Sequence, residues 1–129
     1  MPPKTKFDKR SIIDAALEIA KEKGLSGIHA RSVANRLNSS VAPIYLNFAT
    51  IDDLVEAVVK HIFAISEEMF AKQNGQSVFQ KMGKASLAFA REYPVLFREL
   101  VIQPNPYMDS YETIENSLIE DLMEDKALH

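Results

Sequence analysis

A chain of 129 residues, 47% hydrophobic and 26% charged, has enough apolar surface for one packed domain or for a small domain joined to part of a second. The absence of cysteine excludes disulfides and thiolate metal sites, and no uncharged stretch approaches the roughly 20 residues that cross a bilayer, so a cytoplasmic protein without membrane contact is expected. The net charge of −3 argues against a nucleic-acid partner until its distribution is read. Residues 1–50 hold eight Lys and Arg against four Asp and Glu, a balance of +4, and the remainder holds seven against fourteen, a balance of −7. Any phosphate-facing surface therefore belongs to the first fifty residues.

Apolar residues recur at helical spacing throughout, with no alternating run bounded by turn signals, so the expected fold class is all-α. A first helix is expected after Asp8 as N-cap, with Ile12, Ile13, Ala16, Leu17 and Ala20 on one face and an end at Gly24. A second covers about Ala30 to Leu37, and a third about Val41 to Phe48, with Ser40 as N-cap and Pro43 tolerated in its first turn. Thr50 and Asp53 form a capping-box pattern that opens a long helix through Leu54, Val58, Ile62, Ile65 and Met69. Further helices are expected from Ser77 to Arg91 and from Pro94 through Val101, before a break at Gln103-Pro104-Asn105-Pro106. Asp109 and Glu112 would cap a last helix whose apolar face carries Ile114, Leu118, Ile119, Leu122 and Met123. The expected organisation is a three-helix domain over residues 1–50 and, over residues 51–129, a helical linker with a partial effector-binding or dimerisation domain.

Val33 to Phe48, VANRLNSSVAPIYLNF, reads as two short helices hinged at Asn38-Ser39-Ser40, the layout of a helix-turn-helix. The reversal needs a residue that tolerates left-handed backbone, and Asn38 is the type that does so best after glycine. Ile44 and Phe48 lie four apart and pack inward. That register leaves Val41, Ala42, Pro43, Leu46 and Asn47 facing out, with Tyr45 at the edge.

Residues 8–60 resemble the DNA-binding domain of the TetR/AcrR family of bacterial transcriptional regulators. IIDAALEIAKEKG resembles the family's first helix, ARSVANRL its second, and SSVAPIYLNFATIDDLVEAVV its recognition helix running into the connecting helix. The resemblance implies a homodimer on a palindromic double-stranded DNA operator, acting as a repressor that a small apolar effector releases. It also implies that Tyr45 contacts phosphate, that Arg31 reaches a base or phosphate, and that Val41, Ala42, Pro43, Leu46 and Asn47 read the groove, with Ser40 at the start of the recognition helix. Their largely apolar chemistry favours thymine-methyl contact and shape, with Asn47 the one good donor. Lys4, Lys6, Lys9 and Arg10 would add phosphate contacts, and Thr50 with the start of the following helix would offer amides. The chain departs from the family at His29, where Ser or Thr usually caps the second helix, at Asn38, commonly glycine, and at Ile51, commonly a phosphate-contacting lysine. It is also shorter than family members.

Histidines 29, 61 and 129 have no partner at ligand spacing, and neither a phosphate loop nor a nucleophile constellation is present, so no metal, no cofactor and no enzymatic activity are expected. Aromatic residues concentrate after Thr50. Phe63, Phe70, Phe89, Phe97 and Tyr111 read as core, with an apolar effector pocket between helices as the functional alternative. A second function from a different class is a small helical interaction protein derived from such a regulator, pairing with a partner through Leu118 and Leu122 and binding no operator.

Overall fold

The computed structural model describes residues 7–75 and 77–107, together with positions 116, 120 and 123. The described residues form six helices and no strand: α1 (Lys9–Lys23), α2 (Ala30–Leu37), α3 (Ala42–Asn47), α4 (Ile51–Ala71), α5 (Val78–Glu92) and α6 (Pro94–Phe97), the last continued by a π-helical turn over Arg98–Ile102. None is long and apolar enough to cross a membrane. Packing divides the chain into two compact units, residues 1–62 and 63–129, with the boundary inside α4.

In the first unit the local chemistry sets each helix end. The Asp8 side chain accepts from the Ser11 amide at 2.9 Å and starts α1. Gly24, at φ 83°, stops it with its N–H on the Ala20 carbonyl. A 3-10 turn at Leu25–Gly27 then brings the chain back so tightly that a Cβ on Gly27 would lie 2.9 Å from the Lys23 Cβ. Ile12, Ala16, Ala20, Val33, Ile44, Leu54, Val58 and Ile62 are all but fully buried, so the first three helices and the start of α4 share one core. Small side chains at Ala15, Ala16 and Ala20 on α1 leave room for neighbouring helices to approach.

The second unit buries Phe63, Phe70, Ala85, Phe89, Tyr93, Leu96 and Leu100. Ser77 caps α5 by accepting from the Gln80 amide at 3.1 Å. Tyr93 ends it, and Pro94 at the next helix's first position starts α6. The expected break after Val101 is present: the π turn closes with the Gln103 amide on the Arg98 carbonyl, and the Asn105 amide lies within 3.0 Å of the carbonyls of Glu99, Leu100 and Gln103. Phe79 and Leu87 on α5 and Met123 stay exposed, the last although the sequence pattern puts it on an apolar helix face. Asp109, Tyr111, Glu112, Ile114, Leu118, Ile119 and Leu122 lie outside the described residues.

Candidate nucleic-acid interface

The hinge between α2 and α3 is built on one residue. Asn38 adopts φ 54°, ψ 47°, left-handed backbone as its place in the sequence requires. Its amide donates to the Asn35 carbonyl at 3.2 Å and that of Ser39 to the Ala34 carbonyl at 2.9 Å, so the end of α2 is satisfied as the chain turns. The start of α2 differs from the weakened cap that His29 suggests. His29 Nδ1 accepts from the Ser32 amide at 3.3 Å while the His29 amide donates to Ser32 Oγ at 3.1 Å, a complete capping box with an imidazole nitrogen in the place of a hydroxyl. Ser32 Oγ also donates to the Gly27 carbonyl at 2.8 Å, which fastens the helix start to the preceding turn.

The start of α3 is the reverse case. Val41, in helical backbone, occupies the cap position, and no side chain caps the helix; Ser40 is therefore not the N-cap, and its carbonyl instead accepts from Ser39 Oγ at 2.8 Å. With Ala42 and Pro43 opening the helix, the missing proline N–H is one that would have had no intrahelical partner. Ile44 is 0% and Phe48 8% exposed, against 40% for Val41, 49% for Tyr45 and 85% for Leu46. The expected division into a buried and an outward face is thus present, with Ala42 also exposed and Pro43 half-buried.

Asn47 is the exception. Its Nδ2 donates to the Phe7 carbonyl at 3.0 Å and to the Pro43 carbonyl at 2.8 Å, which occupies both amide hydrogens. The residue is half-buried, and its amide hydrogens are donated within the protein although its register points outward.

The cations expected at the interface lie on α1 and α2. Arg31 is exposed in the first turn of α2, outside every ion pair among the described residues. Lys9 holds its ammonium 5.7 Å from the centre of the Phe48 ring. Arg10 pairs with Asp14 at 3.2 Å, an exposed i,i+4 contact worth a few tenths of a kcal/mol at most and readily exchanged for phosphate. Lys4 and Lys6 lie outside the described residues. At the start of α4, Thr50 Oγ1 accepts from the Asp53 amide at 3.1 Å, and Asp52 and Asp53 place carboxylates in the first turn. Those charges complement the dipole of α4. Ile51 is half-buried there. Among the described residues no cluster of His, Asp or Glu has the arrangement of a metal site.

Of the residues considered for an effector pocket, Phe63, Phe70 and Phe89 are buried and Phe97 is half-buried, while Tyr111 lies outside the described residues. The Phe89 ring centre is 5.2 Å from that of Tyr93 and 6.3 Å from that of Phe97. Lys81 sits over the Phe70 ring at 5.3 Å. A shallow groove of about 340 Å³ lies in the first unit between Ile19, Glu22 and Lys23 of α1 and Ser32, Asn35 and Arg36 of α2.

A three-helix core that presents one exposed short helix behind a left-handed hinge defines a helix-turn-helix domain. Comparison with known proteins agrees: residues 12–58 match the family described as bacterial regulatory proteins, tetR family. The tetracycline repressor protein class G of Vibrio anguillarum is 33% identical over 84 residues, which cover 57% of this chain and 40% of that protein. The class D protein of Escherichia coli and the class H protein of Photobacterium damsela subsp. piscicida are each 24% identical over 116 residues, 88% of this chain and 53% of theirs. No solved structure is significantly similar to the chain. Residues 12–58 thus form a domain like that of the tetR family of bacterial regulatory proteins, and the chain spans about half the length of the curated relatives it matches.

Proposed function

We propose that the chain is a transcriptional repressor that binds a palindromic double-stranded DNA operator as a homodimer, with α3 of each protomer in the major groove. The observation that carries this reading is the asymmetry of α3. Val41, Tyr45 and above all Leu46 are exposed, while Ile44 and Phe48 hold the helix to the core. Val41, Ala42, Pro43 and Leu46 offer methyl and methylene groups to thymine methyls and to groove shape, and the Tyr45 hydroxyl and Arg31 reach the flanking phosphates, joined by Lys9 and Arg10. Ser40, exposed ahead of α3, adds a hydroxyl at the groove edge. A dimer would set its two reading helices about 34–36 Å apart, one turn of DNA.

The regulatory part of this reading assigns a small apolar effector to the second unit, near Phe63, Phe70, Phe89 and Phe97. Their ring packing supports an apolar site that a ligand would enter by displacing contacts such as that between Phe89 and Tyr93. Such a ligand releases DNA only by preferring the conformation with misplaced reading helices. The interaction-protein alternative rests on Leu118 and Leu122, outside the described residues, and the family match does not favour it.

Selection from a random-sequence duplex library, with light scattering of the protein and a salt series on the enriched duplex, tests the reading. An enriched palindrome, a dimer on it and a steep fall of affinity with salt are the expected results. A chain that enriches no sequence refutes operator binding, and DNA retained at saturating concentrations of every apolar compound tried refutes the effector.

A further inference from the structure

Asn74 is the one asparagine of the chain followed by glycine, in the connection between α4 and α5. Both residues are exposed, and among the described residues neither the Asn74 side-chain amide nor the Gly75 N–H makes a hydrogen bond. The Asn74 carbonyl does: it accepts from the Lys84 ammonium at 2.8 Å. Lys84 thereby reaches back from α5, ten positions along the chain, to the peptide that joins Asn74 to Gly75. Space favours glycine at position 75, since a Cβ there would lie 3.0 Å from the Lys81 Cγ and 3.1 Å from the Gln80 Oε1. The Gly75 nitrogen therefore has no side chain of its own to shield it from the neighbouring amide.

An asparagine beside such a nitrogen can lose its amide by reacting with it. Resonance occupies the lone pair of a peptide nitrogen, so attack requires the N–H proton to leave first, and the negative charge then rests largely on the carbonyl oxygen. For the Gly75 nitrogen that oxygen is the Asn74 carbonyl, already bound to a cation by a charge-assisted hydrogen bond. We propose that Asn74-Gly75 is a self-modification site at which the Lys84 ammonium promotes deamidation of Asn74. Hydroxide takes the Gly75 proton, the nitrogen bonds to Asn74 Cγ, and the Cγ–Nδ2 bond breaks, with Nδ2 leaving as ammonia after taking a proton from water. Water then opens the five-membered succinimide at either carbonyl, giving aspartate or, where the main chain runs on through Cγ, isoaspartate. One amide and one water become one carboxylate and one ammonium, with no change of oxidation state. The new carboxylate appears beside Lys84, an opposite charge that favours it. DNA binding plays no part in the step, so the site stands apart from the repressor reading.

Full chains of wild type, Lys84→Met, the charge-preserving Lys84→Arg and Asn74→Gln are incubated in heavy-oxygen water at neutral and mildly alkaline pH, each with and without urea. Circular dichroism confirms that the samples without urea are folded. Mass spectrometry then follows the tryptic peptide of residues 73–81, and enzymatic methyl transfer from labelled S-adenosylmethionine detects isoaspartate. The folded wild type should take up heavy oxygen at Asn74 and form isoaspartate there, faster than at Asn35, Asn38 or Asn47. Lys84→Met should slow the uptake several-fold, Lys84→Arg should keep most of the rate, and Asn74→Gln, whose ring would need one more atom, should stay unmodified at position 74. In urea, which takes Lys84 away from the carbonyl, wild type and Lys84→Met should react alike. An Asn74 that keeps its amide overturns the proposal, as do equal rates in folded wild type and folded Lys84→Met. A difference between those two that persists in urea also overturns it, because the fold would then not be what brings the ammonium to the reacting peptide.

Discussion

Leu46 gives the sharpest separation between folding and recognition. With 85% of its surface exposed in a six-residue helix, it contributes almost nothing to the core, so Leu46→Ala should change stability by no more than about 0.5 kcal/mol. The same exposure makes nearly its whole side chain available to DNA. The substitution deletes three carbons, worth about 2.4 kcal/mol if all were buried at ~0.8 kcal/mol each. A groove wall covers one side of the side chain, so roughly half of that, about 1 kcal/mol per protomer, is a reasonable expectation. Two protomers on a palindrome then lose about 2 kcal/mol, near 30-fold in Kd. Ile44→Ala on the same helix is the opposite control: at 0% exposure it should cost about 2–5 kcal/mol of stability. Urea unfolding and anisotropy titration of the enriched duplex measure both quantities. A Leu46→Ala protein as stable as wild type that binds every duplex equally well would refute the assignment of this face, and one destabilised as much as Ile44→Ala would refute the packing argument.

Asn38 tests the hinge: Asn38→Gly should leave urea stability nearly unchanged, whereas Asn38→Ala, forced to φ 54°, should lose about 1–2 kcal/mol. Arg31→Ala should lower the salt slope of DNA binding by about 1, and an unchanged slope would remove Arg31 from the phosphate contacts. Asp8 sets an acid limb. Its carboxyl is held below the ordinary value of 3.8 first by the Ser11 amide and then by the Ser11 hydroxyl, so the cap is in place above that value and is lost as pH falls through the lower folded one. The stability difference between wild type and Asp8→Ala should therefore be largest near neutrality and shrink on acidification below 3.8; a difference constant with pH would show that the carboxylate is not what caps α1.

What could be read from the residues was local. The Asp8 cap, the stop at Gly24, the span of α2, the left-handed Asn38 and the opposition of Ile44 and Phe48 to Val41 and Leu46 each depend on neighbours within a turn or two of helix. Ser40 went the other way because the first carbonyl to accept helical amides, those of Ile44 and Tyr45, is that of Val41, which puts the cap one residue later. His29 completes a capping box through an imidazole acceptor, which helix-capping preferences built on hydroxyl and amide side chains do not include. Asn47 was not legible at all as a tether. Its register places it outward, and only the fold brings Phe7 within 3.0 Å of it.

The shortness of α3 explains why tethering and reading can coexist in so few residues. Six residues are well below the length at which a helix holds itself together in water, so α3 exists because Ile44 and Phe48 are buried and because Asn47 ties its last turn to the chain before α1. The side chains that hold the helix are thus Ile44, Phe48 and Asn47, while Leu46 is left almost wholly exposed. The outward residues are then free to be exchanged with little effect on the fold. Under the DNA-binding reading, operator preference can drift by substitution at Val41, Ala42 and Leu46, while a change at Asn47 loosens the end of α3 from the chain before α1.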